Sequence, residues 1–160
     1  VLFRSRYPRG SAHQGLREYQ APVEYGRSEI IRKGKKIAVL GVGSMIPSCM
    51  EICKGLKDDG YDPTFVNARF VKPLDVDLLD ELAKDHSLFV TVEENVKSGG
   101  YGEHVSAYME ACHPEIRVLS AAVWDRFVPQ GNVESLRSRI GLGVEDIRQA
   151  IEDSEELREQ

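Results

Sequence analysis

Arg69 is the residue in this chain best placed to do chemistry. It lies in the run Asn67-Ala68-Arg69-Phe70-Val71-Lys72-Pro73-Leu74-Asp75, directly after the extended apolar segment Thr64-Phe65-Val66. The run sets one fixed cation at the carboxyl end of an expected strand, just ahead of a helix introduced by Pro73 and Asp75. Open α/β sheets take their ligands at that end of their strands. A guanidinium there suits a phosphate or a carboxylate, because its planar fork bonds two oxygens at once. The same residue type also makes strand-end salt bridges, and residue physics alone weighs the two readings equally.

Other residues with chemical potential read more plainly. Glu93 and Glu94 are neighbours at the end of a second apolar segment. Adjacent carboxylates on extended chain face opposite ways, so they cannot share one substrate atom. Capping, or contact with a neighbouring domain, fits them better than acid–base work. Gly41-Val42-Gly43-Ser44 follows a strand and opens a helix, an arrangement that lets phosphates approach a helix N-terminus. Ile46 stands where a third glycine would be and no Walker lysine follows, so a tight strand-to-helix turn is expected. Ser44 would cap that helix and Pro47 would sit in its first turn.

His13, His86, His104 and His113 show neither HxxxH nor HExxH spacing. His86 and His113 fall near helix ends, where a partial positive charge is favourable, and all four read as surface or capping residues. Cys49 and Cys53 share one face of an expected helix, with no CxxC and no nearby His to complete a metal site, and read as buried thiols. With Cys112 there are three cysteines. An odd count without framework spacing indicates free thiols and a reducing, cytoplasmic setting. Trp124 and Phe127 straddle Asp125-Arg126 ahead of Pro129-Gln130-Gly131, in a loop suited either to packing on a partner subunit or to the core.

These residues require an alternating frame. Ser28 to Arg32 suits an edge strand, and Ile37 to Gly43, Pro63 to Asn67, Leu88 to Val92 and Ile116 to Leu119 read as further strands. Between them, apolar residues recur at helical spacing: Ile46, Cys49, Met50, Cys53 and Leu56; then Leu74, Leu78, Leu79 and Leu82; then Tyr101, Val105, Tyr108, Met109 and Cys112. Two short helices follow, near Val133 to Arg139 and Val144 to Ile151. The alternation specifies an α/β fold, a three-layer αβα sandwich with a mainly parallel sheet. Residues 1–29 read as the tail of a preceding domain and a linker, 30–151 as the domain, and 152–160 as a charged, frayed tail. At 160 residues, 41% hydrophobic and 29% charged, the chain suits one globular core. The net charge of −5 without a basic stripe argues against nucleic acid. No apolar run approaches the roughly 20 residues of a membrane span, and no signal core opens the chain.

Several motifs carry a resemblance. Arg6-Tyr7-Pro8-Arg9-Gly10, Gly26 to Gly34, Ile37 to Gly43, Asn67 to Asp75, Val92-Glu93-Glu94-Asn95 with Gly99-Gly100-Tyr101-Gly102, Asp125 to Gly131 and Ile140-Gly141-Leu142 together resemble the C-terminal part of the 1-deoxy-D-xylulose-5-phosphate synthases, thiamine-diphosphate enzymes of the transketolase superfamily. The RFVKPLD and EEN…GG motifs are shared more loosely with transketolases and 2-oxoacid dehydrogenase β subunits, which form the alternative assignment. A stand-alone assembly or regulatory domain is a third.

The resemblance implies a five-stranded, mainly parallel sheet. It also implies a homodimeric, magnesium-dependent whole enzyme that decarboxylates pyruvate on thiamine diphosphate and joins it to glyceraldehyde 3-phosphate, feeding isoprenoid, thiamine and pyridoxal synthesis. The domain would supply dimer contacts and arginines for the substrate phosphate. Arg69 matches one of these, and Arg6, with Arg9 as the alternative, matches the second. The family's GDG…N cofactor segment and its activating glutamate have no counterpart in this chain. The resemblance therefore implies no catalytic, cofactor or metal residue here and no activity for this chain alone. Arg69 is then expected to matter for phosphate binding and little for folding.

Overall fold

A computed structural model of the chain describes residue 13 and residues 15–19 and 21–154. Five strands, β1 (Glu29–Arg32), β2 (Lys36–Gly41), β3 (Thr64–Asn67), β4 (His86–Val96) and β5 (Arg117–Val123), form one sheet in the order β1-β3-β2-β4-β5. β2, β3, β4 and β5 run parallel, and β1 closes one edge antiparallel to β3. The helices are α1 (Ile46–Asp58), α2 (Val76–Leu82), α3 (Tyr101–Cys112), α4 (Val133–Arg139) and α5 (Val144–Glu152).

Parallel strands covered on both faces read as continuous apolar runs, and β2 shows why. Ile37 and Val39 enter one buried cluster with Cys49, Ile52 and Leu56 of α1 and Ile147 and Ile151 of α5. Ala38 and Leu40 enter the other, with Leu79 and Leu82 of α2 and Tyr101, Val105 and Met109 of α3. β4 splits the same way, Leu88 and Val90 to the first cluster and Phe89 to the second. The expected αβα sandwich is therefore the observed one. Among the described residues no helix is long and apolar enough to cross a membrane.

Several details differ from expectation. β4 continues to Val96 and β5 to Val123, because Val96 re-pairs with Val123 beyond an irregularity in the ladder. Ser44 does not cap α1. A single 3-10 turn, Gly43–Met45, intervenes, and the Ser44 hydroxyl donates instead to Glu94 at 2.7 Å. Cys49 and Cys53 are buried thiols as expected, and burial pushes the Cys53 thiol up to about 12. Cys112, in the last turn of α3, is exposed. Trp124 and Phe127 are 58% and 104% exposed, which removes core packing as their role.

His86 caps as expected, but not as a cation. Its Nδ1–H donates to the Leu82 carbonyl that ends α2, at 2.8 Å, and its Nε2 accepts from Thr64 Oγ1 at 2.7 Å. Thr64 Oγ1 in turn accepts from Gly34 N. Burial favours this neutral ring, pushing the imidazole below its ordinary value against the opposing pull of the Leu82 carbonyl.

Candidate functional site

β3 ends at Asn67, and the next residues cross the carboxyl edge of the sheet. Ala68 N donates to Gly41 O at 2.9 Å, which ties the turn to the end of β2. Arg69 takes a left-handed backbone conformation, φ 54°, while its N–H points back to Asn67 Oδ1 at 3.3 Å. Such a conformation is uncommon for a side chain of this size. Here it turns the guanidinium toward β1 and the segment that precedes it. The antiparallel register sets Glu29 opposite Asn67. Glu29 Oε2 meets Arg69 Nη2 at 2.6 Å, with the two side chains only 10% and 13% exposed. Arg69 Nη1 and Nη2 also donate to the carbonyls of Pro22 and Ala21, each at 3.2 Å. The ligand-edge placement is as expected, and the same residue also makes the strand-end salt bridge. The expectation that Arg69 matters little to folding does not survive, because removing it would strand a carboxylate that is nine-tenths buried.

Phe70, Pro73 and Asp75 of the same run hold residues 25–28. Phe70 packs edge-on against Tyr25 with ring centroids 5.7 Å apart. Gly26, at φ +72°, lies so close to Pro73 that a Cβ there would come within 2.9 Å of Pro73 Cγ. Asp75 accepts from Ser28 N at 2.7 Å and from Arg27 Nη1 at 3.0 Å, while also capping α2 through Leu78 N at 3.3 Å. The sequence identified Asp75 as a cap but gave no sign of Glu29, Ala21 and Pro22. Those partners are distant in sequence and meet Arg69 only through the antiparallel edge. Arg6 and Arg9 lie outside the described residues.

The crevice between the ends of β2 and β4 is the switch point of the sheet, where helices leave in opposite directions. Glu93 and Glu94 face opposite ways there, as expected. Glu93 is fully buried and accepts from the N–H groups of Tyr101 and Gly102 at 2.9 and 2.8 Å, satisfying the start of α3. Glu94 takes Arg137 Nε and Nη2 at 3.1 and 3.2 Å. Burial alone would raise the Glu94 carboxyl, but the Arg137 guanidinium and the Ser44 hydroxyl outweigh it and hold the group below the usual carboxylate range. The chain's own ion pair thus stands at this end of the sheet. His113 is the C-cap residue of α3, as its place near a helix end suggests, and its ring pairs with Asp80 at 2.8 Å, through an oxygen that also accepts from Tyr108. Among the described residues no three His, Cys, Asp or Glu side chains are set to hold a metal ion.

Residues 26–147 match the family model of the transketolase C-terminal domain. The chain belongs to that family. Transketolase C-terminal domains supply its structural neighbours as well. A split-gene transketolase, described as an inactive β4 tetramer, superposes with a TM-score of 0.78 at 29% identity, over 84% of this chain and 44% of that one. Transketolase from Campylobacter jejuni shares the fold at a TM-score of 0.53 and 16% identity, over 81% of this chain and 19% of that one. Among curated relatives, this transketolase C-terminal domain is 39% identical to the 1-deoxy-D-xylulose-5-phosphate synthase of Lachnoclostridium phytofermentans over 143 residues, which cover 89% of this chain and 23% of that protein. It is also 39% identical to the synthase of Dictyoglomus thermophilum, over 93% of this chain and 24% of that protein. The chain therefore spans about a quarter of the length of the curated relatives it matches.

Proposed function

We propose that this transketolase C-terminal domain serves a cytoplasmic 1-deoxy-D-xylulose-5-phosphate synthase, whose whole chain joins pyruvate to glyceraldehyde 3-phosphate. The observation that carries the reading is 39% identity to such synthases across about nine-tenths of the chain, against 29% to the split-gene transketolase. In the whole enzyme, thiamine diphosphate held with Mg2+ would supply the carbanion chemistry from outside the described residues. This domain's part is binding and assembly. Arg69, at the carboxyl edge of the sheet, is the proposed ligand of the acceptor phosphate, with Arg6 as a second. Trp124, Phe127 and Val133, exposed beyond β5, are the proposed contact patch for a second subunit in a homodimer. The inactive tetramer described for the split-gene transketolase chain supports the proposal that this chain by itself has no activity.

The test is steady-state kinetics on the product of the whole reading frame, with pyruvate and glyceraldehyde 3-phosphate as substrates. Arg69→Ala is expected to raise the KM for glyceraldehyde 3-phosphate on the order of 10- to 100-fold, the scale of one charge-assisted contact, and to leave the KM for pyruvate nearly unchanged. Arg69→Lys is expected to restore only part, since a point charge replaces a fork. Equal damage to both substrates would refute the phosphate role. A wild-type product that turns over ketose phosphates but not pyruvate would favour a transketolase.

A further inference from the structure

Arg69 cannot take a phosphate in two-point fashion while it stands as it does. A guanidinium has two forks, Nη1 with Nη2 and Nε with Nη2, and each uses a hydrogen of Nη2. Nη2 already faces two acceptors, Ala21 O, to which it donates at 3.2 Å, and Glu29 Oε2, its ion-pair partner at 2.6 Å. Nη1 is tied to Pro22 O at 3.2 Å. An incoming oxyanion must therefore displace a partner. The carbonyl contacts are long and their acceptors carry no charge, whereas the Glu29 contact is a short ion pair, so the carbonyls yield first.

We propose that Ala21, Pro22 and Glu29 form a displaceable latch on Arg69, through which an oxyanion that binds the guanidinium frees residues 21–22 from the sheet edge. The inference rests on the phosphate role proposed above and adds two things to it. Glu29 is a positioning residue that acts through Arg69: it orients the guanidinium, and its charge opposes the arriving anion. The motion also has a fixed end, because Tyr25 stays against Phe70, Gly26 against Pro73, and Arg27 and Ser28 on Asp75. The chain therefore swings about Tyr25 and Gly26, and occupancy at Arg69 decides whether residues 21–22 lie on the sheet edge.

The experiment is 15N NMR of the 160-residue chain titrated with inorganic phosphate, with sodium chloride at matched ionic strength as control. Calorimetry in parallel gives the phosphate affinity. The amide signals of Ala21, Val23 and Glu24 are expected to move saturably with phosphate and not with chloride, while those of β4 stay in place. Arg69→Ala is expected to shift the same three signals without phosphate and to abolish their response. Glu29→Gln, which keeps the shape and removes the charge, is expected to tighten phosphate binding by about three- to tenfold. Saturable binding that Arg69→Ala abolishes, with the Ala21 and Val23 signals unmoved, would overturn the latch and leave the phosphate role standing. Weaker binding in Glu29→Gln would overturn the opposing role of Glu29. A response no different from chloride would overturn the latch and the phosphate role together.

Discussion

At the scale of single residues, the structure gives Arg69 an energetic role beside its proposed chemical one. Its ion pair with Glu29 is nearly out of solvent, so breaking it leaves an uncompensated charge. Arg69→Ala is expected to lower the stability of this chain by about 2–3 kcal/mol in urea denaturation, below the full penalty of a deeply buried pair because one rim stays wet. The double variant Arg69→Ala with Glu29→Ala is expected to lose less than the sum of the single losses, and strict additivity would show that the pair is not coupled. His86 makes a second residue-scale prediction. Its folded-state pKa lies below its unfolded one, so the neutral form is the one that folding favours. That contribution is complete above the ordinary histidine value of about 6.5 and is lost as pH falls below it. The urea midpoint is expected to fall between pH 7.5 and pH 5, and to fall less in His86→Phe.

Among the elements, α3 is the one most tightly specified. Its first turn is seated by a buried carboxylate, and Gly102 rests directly on the sheet. A Cβ at Gly102 would collide with Ser120 Oγ and Thr91 Oγ1, on two paired neighbouring strands. Gly102→Ala must therefore lift the helix or push the strands apart, at an expected cost of about 1–3 kcal/mol. Glu93→Ala orphans the N–H groups of Tyr101 and Gly102 and is expected to cost about 2–3 kcal/mol. Glu93→Gln should cost less, because it retains one acceptor. Circular dichroism melts of the three variants rank these effects, and a Glu93→Ala protein as stable as wild type would mean that the cap is dispensable.

For the molecule as a whole, the expectation is division of labour. The chain by itself should neither consume pyruvate nor bind thiamine diphosphate, and calorimetric titration giving micromolar affinity would contradict the proposed function. Its exposed aromatic patch should drive weak self-association. Sedimentation coefficients are expected to rise with concentration in wild type and to stay flat in Phe127→Asp. An unchanged profile in that variant would move the interface elsewhere.

The sequence by itself determined the layers. Apolar runs at β2 and β4, and helical spacing in α1 and α3, state which faces are buried before any contact is known. That is why the αβα sandwich and the capping role of Asp75 were legible. The seat of Arg69 at the carboxyl edge was legible too, because it depends only on local order along the chain. Tertiary structure alone decided what Arg69 touches. Glu29 reaches it through the antiparallel register of an edge strand, and Ala21 and Pro22 through a segment with no periodic pattern. Neither relation leaves a mark in local spacing. Ser44 makes the same point: its residue type suits a helix cap, yet Glu94 and Arg137, brought in from β4 and α4, offer its hydroxyl a charged partner. A charge-assisted bond across the fold then prevails over a neutral one along the chain.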